Sequence, residues 1–273
     1  MTDTLNAILS TLEDPVALFT DFDGVLVEIA PTPDAVAVPP ELPQRLEALN
    51  DALDGAFAVI TGRPVAEVDT LLSLSFPVAI SGSHGAETRR DGAIDPIPPE
   101  LTAAARQIAR QAETALQDIP GILIEPKPAG VAVHYRAAPE SREDALAALK
   151  AAISDRPDFH IIHGKKVFEA RRKGADKGRA VTRWMRHPPF AGRIPVFIGD
   201  DITDEDAFRA VQSMGGIGIK VGEGETDARF RIADVATVYH LFDVVVRKAH
   251  AMTQEGRAGA FPRSAMQEAS ENE

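Results

Sequence analysis

Short, almost wholly apolar runs that each stop at a carboxylate, a threonine or a glycine constrain this chain more than any other feature. Val16–Phe22, Phe57–Ile60, Val78–Ser81, Pro195–Ile198 and Ile217–Val221 are strand-sized and rich in β-branched and aromatic residues. Between the first two, Leu42, Leu46, Leu49 and Leu53 recur at helical spacing and predict an amphipathic helix. Strands apolar on both faces need cover on both faces. The alternation therefore predicts an α/β fold, a Rossmann-like core whose parallel sheet is flanked by helices.

The middle of the chain reads differently. After Pro96–Pro99 comes an Ala-rich helix at about Leu101–Gln117, then strands Ile122–Glu125 and Val131–Arg136, a helix at about Arg142–Ile153, and strands Phe159–His163 and Lys166–Arg171. The order αββαββ predicts a small antiparallel sheet with two helices on one face, an inserted α+β unit. The expected organisation is a core of residues 1–99 and 173–250, an insertion of residues 100–172, and a flexible tail at 251–273, where large apolar residues are few.

Charge and composition narrow the function. Lys and Arg total 29 against 41 Asp and Glu, a formal net charge of -12. Phosphate backbones and anionic membranes would repel such a chain, so general nucleic-acid binding is excluded. With no cysteine, thiolate catalysis, disulfides and iron–sulfur clusters are excluded too. Met1–Pro15 lacks the basic-then-apolar pattern of a signal peptide. No apolar run approaches the ~20 residues of a membrane span. The expected location is the cytoplasm, with no membrane partner.

The strand ends carry the chemistry. Val16–Phe22 runs into Asp21-Phe22-Asp23-Gly24. Carboxylates at the carboxyl end of a parallel strand face the crevice where open α/β sheets bind ligands. Alternation points Asp21 and Asp23 to one side, and two buried like charges call for a cation between them; a helix cap at Asp21 and a turn role for Asp23 would explain them without one. Thr61-Gly62-Arg63-Pro64 follows the second strand. Thr61 suits a helix N-cap with Pro64 in the first turn, and the same place suits an anion such as phosphate. Gly199-Asp200-Asp201-Ile202-Thr203-Asp204-Glu205-Asp206 follows another strand. A capping box of Thr203 with Asp206 accounts for the later acids. It leaves Asp200 and Asp201, hard oxygen donors of the kind that suit Mg²⁺. Lys177, in Gly174-Ala175-Asp176-Lys177-Gly178, is either a surface cation or a partner for a phosphoryl group.

Asp-x-Asp, then Thr-Gly-Arg, then Lys, then Gly-Asp-Asp, in that order, resembles the four-part signature of the haloacid dehalogenase (HAD) superfamily of phosphatases, whose cap domain stands where the inserted unit lies. More narrowly, the chain resembles the trehalose-6-phosphate phosphatase family. Shared segments are Phe22-Asp23-Gly24 with Pro31-Thr32-Pro33-Asp34, Ser83-His84-Gly85-Ala86-Glu87, Glu125-Pro126-Lys127, His134-Tyr135-Arg136, and Gly199 to Glu205. Val25 stands where Thr is common in the superfamily.

The resemblance implies a Mg²⁺-dependent phosphatase acting on trehalose 6-phosphate through an aspartyl-phosphate intermediate. It implies Asp21 as nucleophile, Asp23 as acid and base, and Thr61 and Lys177 as phosphoryl ligands. It implies Mg²⁺ held by Asp21, Asp23 and Asp200, with Asp201 and Asp204 at or near the metal. Gly62, Arg63, Glu125, Lys127 and Glu169 would bind substrate; for His84 a structural role and a substrate contact both stand. The alternatives are the same chemistry on another sugar phosphate (sucrose phosphate or a mannosyl phosphoglycerate) and a catalytically retired sugar-phosphate sensor. Hinges are expected near Pro98–Pro99 and Arg171–Gly174. The substrate would come from a separate trehalose-6-phosphate synthase, to which this chain would be functionally coupled.

Overall fold

A computed structural model describes residues 8, 15–32, 35–164 and 166–254. Pro33 and Asp34 of the Pro-Thr-Pro-Asp segment, and the expected tail beyond Gln254, lie outside the described residues.

Eight strands form one sheet in the order β12-β11-β10-β1-β2-β3-β4-β5. Its parallel part comprises β1 (Val16–Thr20), β2 (Phe57–Ile60), β3 (Ala79–Gly82), β10 (Ile194–Gly199), β11 (Ile217–Val221) and β12 (Phe230–Ile232). Residues of β1, β2 and β11 are buried throughout, as expected of strands covered on both faces. The cover comes from α1 (Leu42–Ala52), α2 (Val65–Leu72), α5 (Lys177–Trp184), α6 (Glu205–Ser213) and α7 (Val235–Gln254). Phe19, Phe57, Phe197, Phe208 and Phe242 are fully buried between these layers, each contributing about 1.5–3 kcal/mol relative to exposure.

Two features depart from the sequence expectation. A hairpin, β4 (Glu87–Arg90) and β5 (Ala93–Asp95), extends the sheet antiparallel at one edge. β4 is polar throughout and β5 is exposed along its length, so no apolar run marked the hairpin. And α7 runs through Gln254, so the first four residues of the expected tail are helical.

Residues 99–172 build a second sheet, antiparallel throughout, in the order β6-β7-β9-β8. Its strands are β6 (Leu123–Lys127), β7 (Gly130–His134), β8 (Phe159–Gly164) and β9 (Val167–Arg172). Helices α3 (Pro99–Leu116) and α4 (Arg142–Ala152) cover one face over a separate core that includes Ile108, Val131, Val133, Leu149 and Phe168. The other face carries Glu125, Lys127 and Glu169, because alternate residues of a strand share a face.

Candidate active site

The carboxyl ends of β1 and β10 lie side by side, since Thr20 pairs with Ile198. Asp21 therefore emerges next to Asp200. Lys177, the first residue of α5, reaches both this place and the turn that follows β10. Its Nζ donates to Asp21 Oδ2 at 2.5 Å and to Asp204 Oδ1 at 2.6 Å. Asp21, Asp200 and Asp204 each bring a carboxylate oxygen within 4.8 Å of the others. Lys177 is 1% exposed and Asp204 is 0% exposed, so the ion pairs are desolvated.

Three carboxylates face one ammonium, and the balance shows in their acidity. Burial pushes Asp21 well above the usual carboxylate range; Lys177 opposes this, and the carboxylates of Asp204 and Asp200 add to it. Burial and then Asp204 push Asp200 up to about 7. Burial alone would lower Lys177, but Asp204 and Asp21 outweigh it and hold the ammonium charged. Such a site is short of positive charge, and every donor in it is a hard oxygen. Gly24 adds to the fit: at φ +71°, its missing Cβ would sit 2.3 Å from Asp200 Cγ, so a side chain there would fill the pocket beside that carboxylate. The residues present fit a small divalent cation such as Mg²⁺.

The four acids differ in how their oxygens are used. Asp204 spends Oδ2 on the backbone N–H groups of Asp200 and Asp201, both at 2.9 Å. Asp201 and Asp204 form a capping box over the 3₁₀ turn Ile202–Asp204. This corrects two expectations. The box is not Thr203 with Asp206, because the chain turns directly off β10 and the first unpaired N–H groups come earlier. And Asp201, expected at the metal, is exposed and caps the turn, while Asp204 stands in the cluster. Asp200 alone has a carboxylate that accepts no hydrogen bond among the described residues. Behind it, Lys220 of β11, 4% exposed, donates to the Asp200 main-chain carbonyl. A lysine inside the apolar run Ile217–Val221 was the sequence signal for this contact, and it was overlooked.

Asp23 stands apart. Its carboxylate receives the fork of Arg63, Nε to Oδ2 at 2.7 Å and Nη2 to Oδ1 at 2.8 Å. Thr61 is buried beside this pair, but its hydroxyl caps no helix: it accepts from Arg63 N at 3.1 Å. Helix α2 begins later, with Pro64 at the cap position instead of in the first turn, and Glu87 Oε1 accepts from Val65 N at 3.0 Å. The loop after β3 closes over Thr61-Gly62. His84 N donates to Thr61 O at 2.9 Å. A Cβ on Gly62 would fall 2.7 Å from His84 Nε2, so glycine there lets the imidazole lie on the loop. Ser83 and His84 both adopt positive φ, +50° and +56°, a conformation that costs non-glycine residues energy and collects at functional sites.

The second sheet meets this loop. His84 Nε2 lies 3.4 Å from Glu169 Oε1, and Lys127 Nζ lies 3.6 Å from the same oxygen. Burial lowers His84, and Glu169 opposes it only in part. Burial would raise Glu169, but Lys127 and His84 outweigh it and hold the carboxyl far below its ordinary range. Burial would likewise lower Lys127, and Glu169 and Glu125 reverse the sign. Glu125 Oε2 accepts from His134 Nε2 at 2.9 Å. His84, Lys127 and Glu169 are thus brought together, with Glu125 two residues from Lys127 along the same face.

The chain is similar to known proteins over most of its length. A family model described as trehalose-phosphatase matches residues 19–236. The chain is 40% identical over 247 residues to "Trehalose-6-phosphate phosphatase" of Escherichia coli (strain K12), covering 90% of this chain and 92% of that one. It is 45% identical over 223 residues to "Probable trehalose-phosphate phosphatase" of Sinorhizobium fredii (strain NBRC 101917 / NGR234), covering 81% and 82%. A solved structure described as a trehalose-6-phosphate phosphatase related protein superimposes with a TM-score of 0.74 at 25% identity, covering 86% of this chain and 99% of its own.

Proposed function

This chain belongs to the trehalose-phosphatase family, and from that premise we propose that it hydrolyses trehalose 6-phosphate to trehalose and inorganic phosphate, using Asp21 as nucleophile. The observation that carries the reading is the buried contact of Lys177 with Asp21 and Asp204, at the strand ends where a phosphoryl group would sit.

Asp21 attacks phosphorus, the bond to the sugar oxygen breaks, and an aspartyl-phosphate forms; water then attacks that phosphorus and releases phosphate and the free carboxylate. Asp23 gives its proton to the departing sugar oxygen and takes one from the water. To do so it must leave the Arg63 fork, which occupies both of its carboxylate oxygens. Lys177, anchored at Asp204, holds the Asp21 carboxylate in one orientation and faces the phosphoryl oxygens, as does Thr61. Mg²⁺ would be held by Asp21, Asp200 and the main chain at Asp23, supplying charge neutralisation at the phosphoryl oxygens.

The inserted sheet, residues 100–172, would act as a cap between hinges near Pro98–Pro99 and Arg171–Gly174, excluding water when closed. Glu125, Lys127 and Glu169 on its inner face, with His84, Gly62 and Arg63 below, would hold the sugar, whose hydroxyls need both donors and acceptors. Among the described residues no helix is long and apolar enough to cross a membrane. The substrate would be met in the cytoplasm and supplied by a separate synthase.

Phosphate release from a panel of sugar phosphates, with Mg²⁺ or with EDTA, tests the reading. Turnover of trehalose 6-phosphate that needs Mg²⁺ and disappears in Asp21→Asn is expected. Preference for another sugar phosphate would overturn the substrate but not the chemistry, and no release from any ester would overturn both.

A further inference from the structure

Arg171 is the most anomalous charged residue of the described chain. It is 4% exposed, and its Nε and Nη1 are buried without any hydrogen-bond acceptor. Leaving donors of a cation unsatisfied in a desolvated place is costly, so such a group in a folded protein calls for an explanation. No carboxylate of the described residues forms an ion pair with it.

Its position supplies the explanation. Arg171 follows Glu169 by two residues on β9, so the two share the inner face of the second sheet. Strand register places Arg171 opposite Gly130, which in turn pairs with Lys127, and places Glu169 opposite Ala132, which pairs with Glu125. Two rungs therefore run across this face: Lys127-Gly130-Arg171 and Glu125-Ala132-Glu169. The central strand contributes only Gly130 and Ala132, both buried, and the long polar side chains of the flanking strands stand on either side. The charged side chains of the flanking strands thus meet over a floor of small residues, with Lys127 Nζ 3.6 Å from Glu169 Oε1. The Arg171 charge acts on both Glu169 and His84, which puts the guanidinium on the side of the sheet that faces the core.

A sugar hydroxyl is both donor and acceptor. A wall that reads neighbouring hydroxyls needs a carboxylate to accept and an N–H fork to donate, spaced as Glu169 and Arg171 are. The phosphoryl group already has Lys177 and the Thr61 loop. We propose that Arg171 is a substrate-binding residue whose Nε and Nη1 donate to hydroxyl oxygens of the sugar, and that it sets specificity together with Glu169. This rests on the reading of the chain as a sugar-phosphate phosphatase and adds to it a contact on the sugar.

The test compares the wild type, Arg171→Lys and Arg171→Met on trehalose 6-phosphate and on p-nitrophenyl phosphate, which has the phosphoryl group and no sugar. With Arg171→Met, KM for the sugar ester rises about 10- to 100-fold, as the loss of charge-assisted hydrogen bonds implies, while turnover of the aryl ester stays within about twofold. Arg171→Lys keeps the charge but not the fork and falls between. An unchanged KM in a folded variant would overturn the proposal, and so would a parallel loss on both esters, which marks a structural role. If the wild type prefers another sugar phosphate, the substrate assignment fails, and the same comparison on that ester still decides Arg171.

Discussion

At the scale of single residues, the site is a set of charges that cannot all be satisfied by one another. Lys177 is the hinge of this balance. Removing the charge of Asp204 takes one of two carboxylates from a buried ammonium and turns one accepting oxygen into an NH2, so Asp204→Asn is expected to destabilise the chain by about 3–5 kcal/mol, read as a lower urea midpoint. Lys220 acts one step further back. It touches the Asp200 carbonyl and not the carboxylate, so Lys220→Gln is expected to weaken Mg²⁺ binding several-fold by calorimetry while the Lys177 ion pairs and the fold persist. A variant that binds Mg²⁺ as tightly as the wild type would show that Asp200 is placed by its own turn alone.

At the scale of elements, each functional side chain sits where a regular element stops. Gly24 must take φ +71° to turn the chain off β1 and must leave room for Asp200. Gly24→Ala meets both objections, and loss of phosphate release together with a lower melting temperature is expected. Lys177 depends on the start of α5, where Asp176 accepts from Arg179 N at 2.7 Å. Asp176→Ala removes that cap and is expected to cost ~1 kcal/mol, a fall in Tm of about 2–4 °C for a chain of this size. Three of the four motifs were legible because each follows an apolar run that ends abruptly, and the fourth, at Lys177, because it opens a helix. The β4–β5 hairpin was not, because Glu87–Arg90 and Ala93–Asp95 lie at an edge and carry no buried run, although Glu87 from that hairpin holds Ser83 and the start of α2 in place.

At the scale of the molecule, the two sheets meet where His84 Nε2 lies 3.4 Å from Glu169 Oε1, and the groups there are acid-sensitive. Glu169 is held below its ordinary range in the folded state, so its contribution is present above the ~4.3 of a free glutamate and is lost as pH falls below it. His84 is lowered by burial, so charging it opposes folding as pH drops below ~6.5. Both act in the same direction. The contribution of His84 and Glu169 is expected to decline from about pH 6.5 downward, more steeply below ~4.3, while Asp21 and Asp200, both raised in the folded state, act in the opposite direction as pH falls from about 7. In Glu169→Gln the lower part of that decline is expected to shrink, as measured by urea unfolding at a series of pH values. An unchanged profile would mean that the contact between the sheets contributes nothing to acid stability.

What the amino-acid sequence determined by itself is the alternation of elements and the place of the candidate site, since hydrophobic periodicity and strand-end carboxylates are local properties. It named Asp21, Asp23, Thr61, Lys177 and Asp200 because each ends or begins an element. The partners of those residues were decided only by the tertiary structure. Asp201 and Asp204 are three positions apart and equally acidic; which one faces Lys177 depends on how the 3₁₀ turn leaves β10. Arg171 and Lys220 looked like ordinary cations, one in a basic run and one inside a strand. Their burial comes from strand register across each sheet and from the packing of one sheet against the loop of the other. These contacts join residues far apart in the chain, and no local pattern records them.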